Sequence, residues 1–271
     1  MVLRTALERF EAKFAPVLAQ ARSLSPLTSS AIDAHFAGGI ESDRFPEATA
    51  ARLLLVCLPL YEGGVASLAE PPTALAAVAL LRSLIEAWTH LYFIMGTDNL
   101  RDAPCRAMRL EQGWAAQTLG LAQVSDDERT LDVASRRQQA ITSLRYKARC
   151  KGGLRDYRSC DATVRELAEK HKIDWLPEAR ASSQMTHVGA WDWSLRVAPD
   201  GSFFIGLPPP SQRAAHLNHL VVMFYNVVNT ALVVLGIGLD SDSSRSLHQA
   251  SMAILDDKLL ERAIDGDYDD N

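Results

Sequence analysis

LLRSLIEAWTHLYFI, residues 80–94, is the stretch that decides the fold. Its apolar side chains at Leu81, Leu84, Ile85, Trp88 and Leu91 follow the i, i+3, i+4, i+7 spacing of one helix face, not the alternation of a strand. Inside this run Arg82, Glu86 and His90 stand four residues apart. Four residues turn a helix by about 400°, so the three form a slowly drifting polar stripe. An arginine and a glutamate in such apolar company are costly unless paired. The sequence therefore predicts that Arg82 pairs with Glu86 in its own helix, or with an acid from a neighbouring helix, and so fixes a packing register or a site.

The same periodicity runs through most of the 271 residues. Helices are expected at about 3–23, 47–69, 73–95, 100–123, 126–149, 161–172, 176–190, 211–236 and 246–264. Start signals stand at Thr73, at Ser125-Asp126-Asp127-Glu128 and at Ser159-Cys160-Asp161. Stop signals stand at Gly96, at Gly152-Gly153 and at Gly236-Ile237-Gly238. The exception is DWSLRVAPDGSFFI, 192–205, where Pro199-Asp200-Gly201 separates two short β-prone runs and predicts a hairpin. The expected architecture is an all-α multi-helix bundle with that one β-hairpin insertion. It forms a single domain over 1–271, with a loosely held N-terminal helix within 1–45 and an acidic tail at 265–271.

Residues 220–238, LVVMFYNVVNTALVVLGIG, carry no charge over a length near that of a membrane span. Asn226 and Asn229 in its middle, and the absence of a flanking basic cluster, point to a buried helix instead, with no membrane partner. The four cysteines are scattered, form no CxxC pair and follow no secretory signal, so free thiols in the cytoplasm are expected.

Net charge is −5, from 28 basic and 33 acidic residues, which argues against general nucleic-acid affinity. The distribution differs from the sum. Residues 136–158, RRQQAITSLRYKARCKGGLRDYR, hold eight basic side chains and one acid, Asp156, a local balance of +7. Arg136 and Arg137 begin the run, and Arg145, Lys147, Arg149, Lys151, Arg155 and Arg158 follow, with Tyr146 and Tyr157 interleaved. Cations and ring faces together suit a polyanion such as RNA. A solvated helix end whose cations complement the helix dipole has the same composition.

The stretch ARASSQMTHVGAWDW, 179–193, has the densest set of reactive side chains. Arg180 and His187 are seven apart and share a helix face, with Ser183 between them. A histidine can move a proton near neutral pH and an arginine can brace a phosphoryl oxygen, a sufficient set for ribose-assisted RNA cleavage. Ser183 activated by His187 is a second chemistry, without the GxSxG elbow. A metal site built from Glu86, His90 and one of His187, His216 or His219 is a third, although neither HExxH nor Glu-x-x-His spacing is present.

The pair LLRSLIEAWTHLYFI and, about a hundred residues later, ARASSQMTHVGAW resembles an uncharacterised, mainly helical bacterial family, a domain of unknown function with an Arg-x-x-x-Glu helix and a Ser-x-x-x-His helix. The resemblance spans about 80–225 and makes Arg82, Glu86, Ser183 and His187 the family-type positions. The second stretch is also distantly similar to HEPN domains, whose ribonuclease members carry an arginine, four to six residues, then a histidine. Arg180 and His187 fit that form, while Ala181 stands where those enzymes usually have a polar residue. The resemblance implies a homo-oligomeric, metal-independent endoribonuclease that needs no cofactor, of the toxin–antitoxin and phage-defence kind, with catalytic residues among Arg180, Ser183, His187, Arg82 and Glu86. A non-enzymatic interaction protein with structural polar clusters is the alternative.

Overall fold

The computed structural model describes residues 2–37, 45–70, 73–96, 102–125, 128–147, 157, 159–171, 175, 177–180, 195–197, 203–205, 208–238 and 241–268. In chain order they form α1 (Val2–Arg22), α2 (Leu24–His35), α3 (Phe45–Ser67), α4 (Ala76–Met95), α5 (Ala103–Ser125), α6 (Glu128–Lys147) and α7 (Cys160–His171). There follow β1 (Leu195–Val197), β2 (Phe203–Ile205), α8 (Pro210–Val234), α9 (Asp242–Leu255) and α10 (Lys258–Ile264). The chain is an all-α multi-helix fold. The two three-residue strands pair antiparallel, Leu195 opposite Ile205 and Val197 opposite Phe203.

The centre is α4, packed between α3 and α8. Leu84, Ile85, Leu91 and Ile94 of α4 are fully buried, and each such side chain contributes roughly 1.5–3 kcal/mol through removal from water. Trp88 adds a directional tie, donating from Nε1 to Thr230 Oγ1 of α8 at 3.1 Å. Tyr61 of α3 stacks on Phe224 of α8 with ring centroids 4.0 Å apart, and its hydroxyl donates to the Ala21 carbonyl of α1 at 3.0 Å. Gly64 permits this close approach, because a Cβ there would meet Leu220 at 3.1 Å.

Around this centre α1 packs on α3 and α8, α2 on α3 and α9, and α5 on α3 and α4; α6 packs on α5, and α7 on α4. The N-terminal 2–37 region, expected as one loosely held helix, is two helices anchored by buried Phe10, Phe14, Leu24 and Ile32. The helix expected at 246–264 is divided, since the Asp257 carboxylate caps a new helix by accepting from the Leu259 amide at 2.7 Å.

Helix ends follow the glycines. Gly96 takes φ +65° after α4, and Arg106 of α5 donates to the exposed carbonyls of Ile94 and Met95, each at 2.9 Å. Gly236 takes φ +72° after α8, where Ile237 bonds back to Leu232 and Gly236 to Val233, the reciprocal pair of a Schellman stop.

By length and composition α3, α4 and α8 are each apolar enough to cross a membrane. In this bundle they are packed on one another, and they carry Arg52, Arg82, Glu86 and Arg213.

Arg213, in the first turn of α8, is 1% exposed. Its guanidinium donates to the Leu68 carbonyl at the end of α3 at 2.6 and 3.1 Å, pairs with Glu11 of α1, and lies 5.2 Å from the Phe14 ring centre. Replacing it by alanine leaves the Leu68 carbonyl without its donors. Arg213→Ala is expected to lower the unfolding free energy by about 1–3 kcal/mol, the cost of leaving a buried polar group unsatisfied, read by urea denaturation; a loss below about 0.5 kcal/mol contradicts the assignment.

Candidate functional site

Arg82, Glu86 and His90 do share one face of α4, and that face looks into a cleft. Its second wall is α5, with Arg109, Gln112, Trp114 and Gln117; the first turn of α7 and Tyr157 close the third side. The cleft is open to solvent and has a volume of about 890 Å³.

Arg82 does not pair with Glu86. Its Nη1 donates to Asp161 Oδ1 of α7 and to the Ala179 carbonyl, both at 3.0 Å. Asp161 stands at the start of α7, where the helix dipole favours an acid, so the alternative of an acid from a neighbouring helix is the one realised. Burial opposes the charge on Arg82; Cys160, Asp161 and Glu86 more than offset it, and its pKa lies above the usual value. Glu86 is exposed, which corrects the expectation of a costly buried carboxylate: the stripe lies at the edge of the apolar face, where the cleft supplies solvent.

His90 sits between rings, 5.2 Å from the Trp114 centroid and 4.6 Å from that of Tyr157. Burial lowers its pKa to about 4, leaving a neutral imidazole at physiological pH. The Tyr157 hydroxyl shares a hydrogen bond with Thr89 Oγ1 at 2.9 Å, and Thr89 in turn donates to the Glu86 carbonyl. Tyr157, from the end of the basic segment, is thereby pinned against α4. Burial raises its phenol above the ordinary range. Burial also raises the Cys160 thiol to about 11 despite Arg82 and Thr89, so Cys160 is a thiol and not a nucleophilic thiolate.

Behind Trp114 lies a network that the sequence reading missed. Glu111, only 5% exposed, is held by Arg52 of α3, by Arg137 of α6 at 3.0 Å and by Thr49 Oγ1 at 3.1 Å. The Arg52 guanidinium also lies 5.1 Å from the Trp114 ring centre. Two guanidinium groups on one carboxylate leave an excess positive charge beside the cleft, and burial, with Arg137 second, lowers the Arg52 pKa to about 10. Glu111 and Arg52 are unremarkable in sequence, and Arg137, read there as part of the basic run, pairs instead with a buried acid where three helices meet.

Arg180 is exposed at the end of the helical turn 177–180, next to the Ala179 that Arg82 holds. Ser183 and His187 lie outside the described residues. Of the basic set, Arg145 and Lys147 stand on the last turn of α6, while Arg149, Lys151, Arg155 and Arg158 lie outside the described residues. Among the described residues no three His, Cys, Asp or Glu side chains converge on a common centre, so Glu86 and His90 do not form a metal set with His216 or His219; the combination with His187 lies outside the described residues. His219 instead faces Glu178 near the start of α8, with Nε2 3.8 Å from Oε1. Burial, with His219 second, lowers the His216 pKa to about 4.

Cys57 and Cys160 are free and buried. Cys105 is disulfide-bonded, correcting the free-thiol expectation at that position; folding joins cysteines that no spacing rule connects.

Comparison with family models, with curated proteins and with solved structures finds no match for this chain.

The histidines set a pH dependence. Folded pKa values near 4 for His90 and His216 lie below the ordinary 6.5. Between those values the unfolded chain binds more protons, so stability is present above 6.5 and is lost as pH falls toward 4. Thermal denaturation is expected to show a falling melting temperature through that window, each group contributing up to about 1.4 kcal/mol per pH unit. His90→Gln and His216→Gln should each flatten the fall; an unchanged slope in both contradicts the burial argument.

Proposed function

We propose that this chain is a HEPN-like helical protein that binds single-stranded RNA along the α4–α5–α7 cleft and cleaves it without a metal. In this reading Arg180 braces the phosphate and His187 moves a proton. The observation that carries it is the hydrogen bond from Arg82 to the Ala179 carbonyl, which puts the first polar stripe beside Arg180, the described member of the second set. Three further features support it. Trp114, His90 and Tyr157 offer ring surface beside a neutral imidazole. Arg52 and Arg137 share one acid, leaving net positive charge behind Trp114. Tyr157, which belongs to the +7 segment, lines the cleft. Single strands are bound by this pairing of stacking surface with cations.

The polar residues on α3, α4 and α8 favour a soluble bundle over three membrane spans, and assembly as a homo-oligomer belongs to the same reading. A second reading, a non-enzymatic interaction protein, is favoured by one observation: Arg82 Nη1 donates to both Asp161 and Ala179, which is structural work.

Incubation of the purified protein with mixed RNA in EDTA separates the two. The wild type is expected to cleave, and His187→Ala to lose on the order of 10²–10⁴-fold in rate, the usual contribution of a general acid–base group. Absence of cleavage by the wild type contradicts the enzymatic reading and leaves the interaction protein.

A further inference from the structure

Charge is distributed unevenly in the cleft between α4, α5 and α7. Arg82 is tied to Asp161 and to the Ala179 carbonyl, and Arg52 and Arg137 are tied to Glu111. Glu86 lies one turn from Arg82 and one turn from His90, exposed on the same wall. Among the described residues its carboxylate takes no hydrogen bond and no ion pair. We propose that Glu86 selects guanine: the base stacks beside Trp114 and Tyr157 and donates its N1–H and one N2–H to the two carboxylate oxygens. This rests on the reading of the cleft as a site for single-stranded RNA and names the base that the cleft takes.

The rings are held in place before any ligand arrives. Tyr157 is fixed by the hydrogen bond between its hydroxyl and Thr89 at 2.9 Å, by Phe93 edge-on at 5.7 Å and by His90 at 4.6 Å. Trp114 is half-buried, with the Arg52 guanidinium over its ring and the His90 imidazole edge-on to it. The charge of Glu86 is felt at the Tyr157 phenol, so the carboxylate stands beside these rings. The facing wall on α5 is low there. Gly113 and Ala116 are both exposed, and a Cβ at Gly113 would have nothing within 4 Å. A flat base therefore has room, in a cleft whose volume of about 890 Å³ is that of a small-molecule site.

The choice of base follows from donor geometry. An ionised carboxylate only accepts, and it offers two oxygens side by side. Guanine is the one standard RNA base with two adjacent N–H donors, N1–H and the 2-amino group, on its Watson–Crick edge. Adenine and cytosine each place the amino group next to a ring nitrogen that accepts, and uracil flanks its single N–H with two carbonyls. Each of these turns a lone pair toward the second carboxylate oxygen and leaves it unsatisfied. A cationic ligand is disfavoured for a different reason. Two guanidinium groups share Glu111 behind Trp114, and that excess positive charge repels a cation while leaving a neutral base and its phosphates welcome. Unstacked bases of single strands are read in this way, by ring stacking and hydrogen bonds to the Watson–Crick edge.

The test titrates the full chain with short fluorescent oligouridylates, 2′-O-methylated so that they cannot be cleaved, carrying a central guanosine, adenosine or inosine. GMP and AMP are titrated alone as a second arm. The guanosine strand is expected to bind roughly 5- to 150-fold more tightly than the adenosine strand, the range for one bidentate contact to a base edge. Inosine, which lacks the 2-amino group, should lose most of that preference, and GMP should bind better than AMP. Glu86→Gln, at an exposed position, is expected to bring the guanosine-to-adenosine ratio close to one. Gly113→Leu, which fills the open wall of α5, should weaken binding of the guanosine strand. Equal affinity for the guanosine and adenosine strands, equal affinity for guanosine and inosine, or a preference that survives in Glu86→Gln or a folded Gly113→Leu chain that binds guanosine as before, overturns the assignment and spares the RNA reading. Binding of GMP over AMP with no binding of any strand upholds the guanine site and overturns the RNA reading. Binding of neither strands nor nucleotides overturns both.

Discussion

One guanidinium organises the α4–α5–α7 side of this protein. Arg82 projects from the central helix α4 and donates to both Asp161, at the start of α7, and the carbonyl of Ala179. Neither acceptor belongs to its own helix, so the two bonds set where α7 begins and where the 177–180 turn lies against α4. A half-buried arginine with two oxygen acceptors at 3.0 Å is also satisfied enough to stay charged in apolar surroundings. The cleft follows from that placement: α7 closes it, and Tyr157 seals its corner through Thr89.

Arg213 does comparable work in the other half, tying α8 to the end of α3 and to α1. The two arginines are used differently. Arg213 is closed off by protein on every side, at 1% exposure, and has no route to a ligand. Arg82 borders open volume, with Glu86 exposed one turn along and His90 two turns along. The bundle therefore has one arginine that stabilises and one that stabilises while lining a site. The Glu111 network sits between these roles, since Arg52 neutralises a buried acid and also covers the face of Trp114.

Local periodicity made α4 and α8 readable, because their apolar residues recur at helical spacing over five turns or more. It failed at α2, where LSPLTSSAIDAH mixes weak helix formers and only Leu24, Ser25, Thr28 and Ile32 face inward. That helix is held by its neighbours, a tertiary effect that no window of sequence contains. The division between α9 and α10 was equally hidden, resting on one capping aspartate inside a periodic run. At the site, the stripe of Arg82, Glu86 and His90 was legible and its partners were not. Arg82 and Asp161 are 79 residues apart, and Arg213 and Glu11 are 202 apart. A single sequence announces that a buried cation needs a partner and carries no information on which acid the fold delivers.

The account stands on Arg82 as the bond between α4 and the turn that bears Arg180. Amide hydrogen exchange on Arg82→Ala addresses that directly, because opening of the turn is read residue by residue. Loss of protection confined to residues 177–180 and the first turn of α7, with α3 and α8 unchanged, is the predicted result. Unchanged protection at the turn, or a loss spread evenly over the bundle, would contradict it.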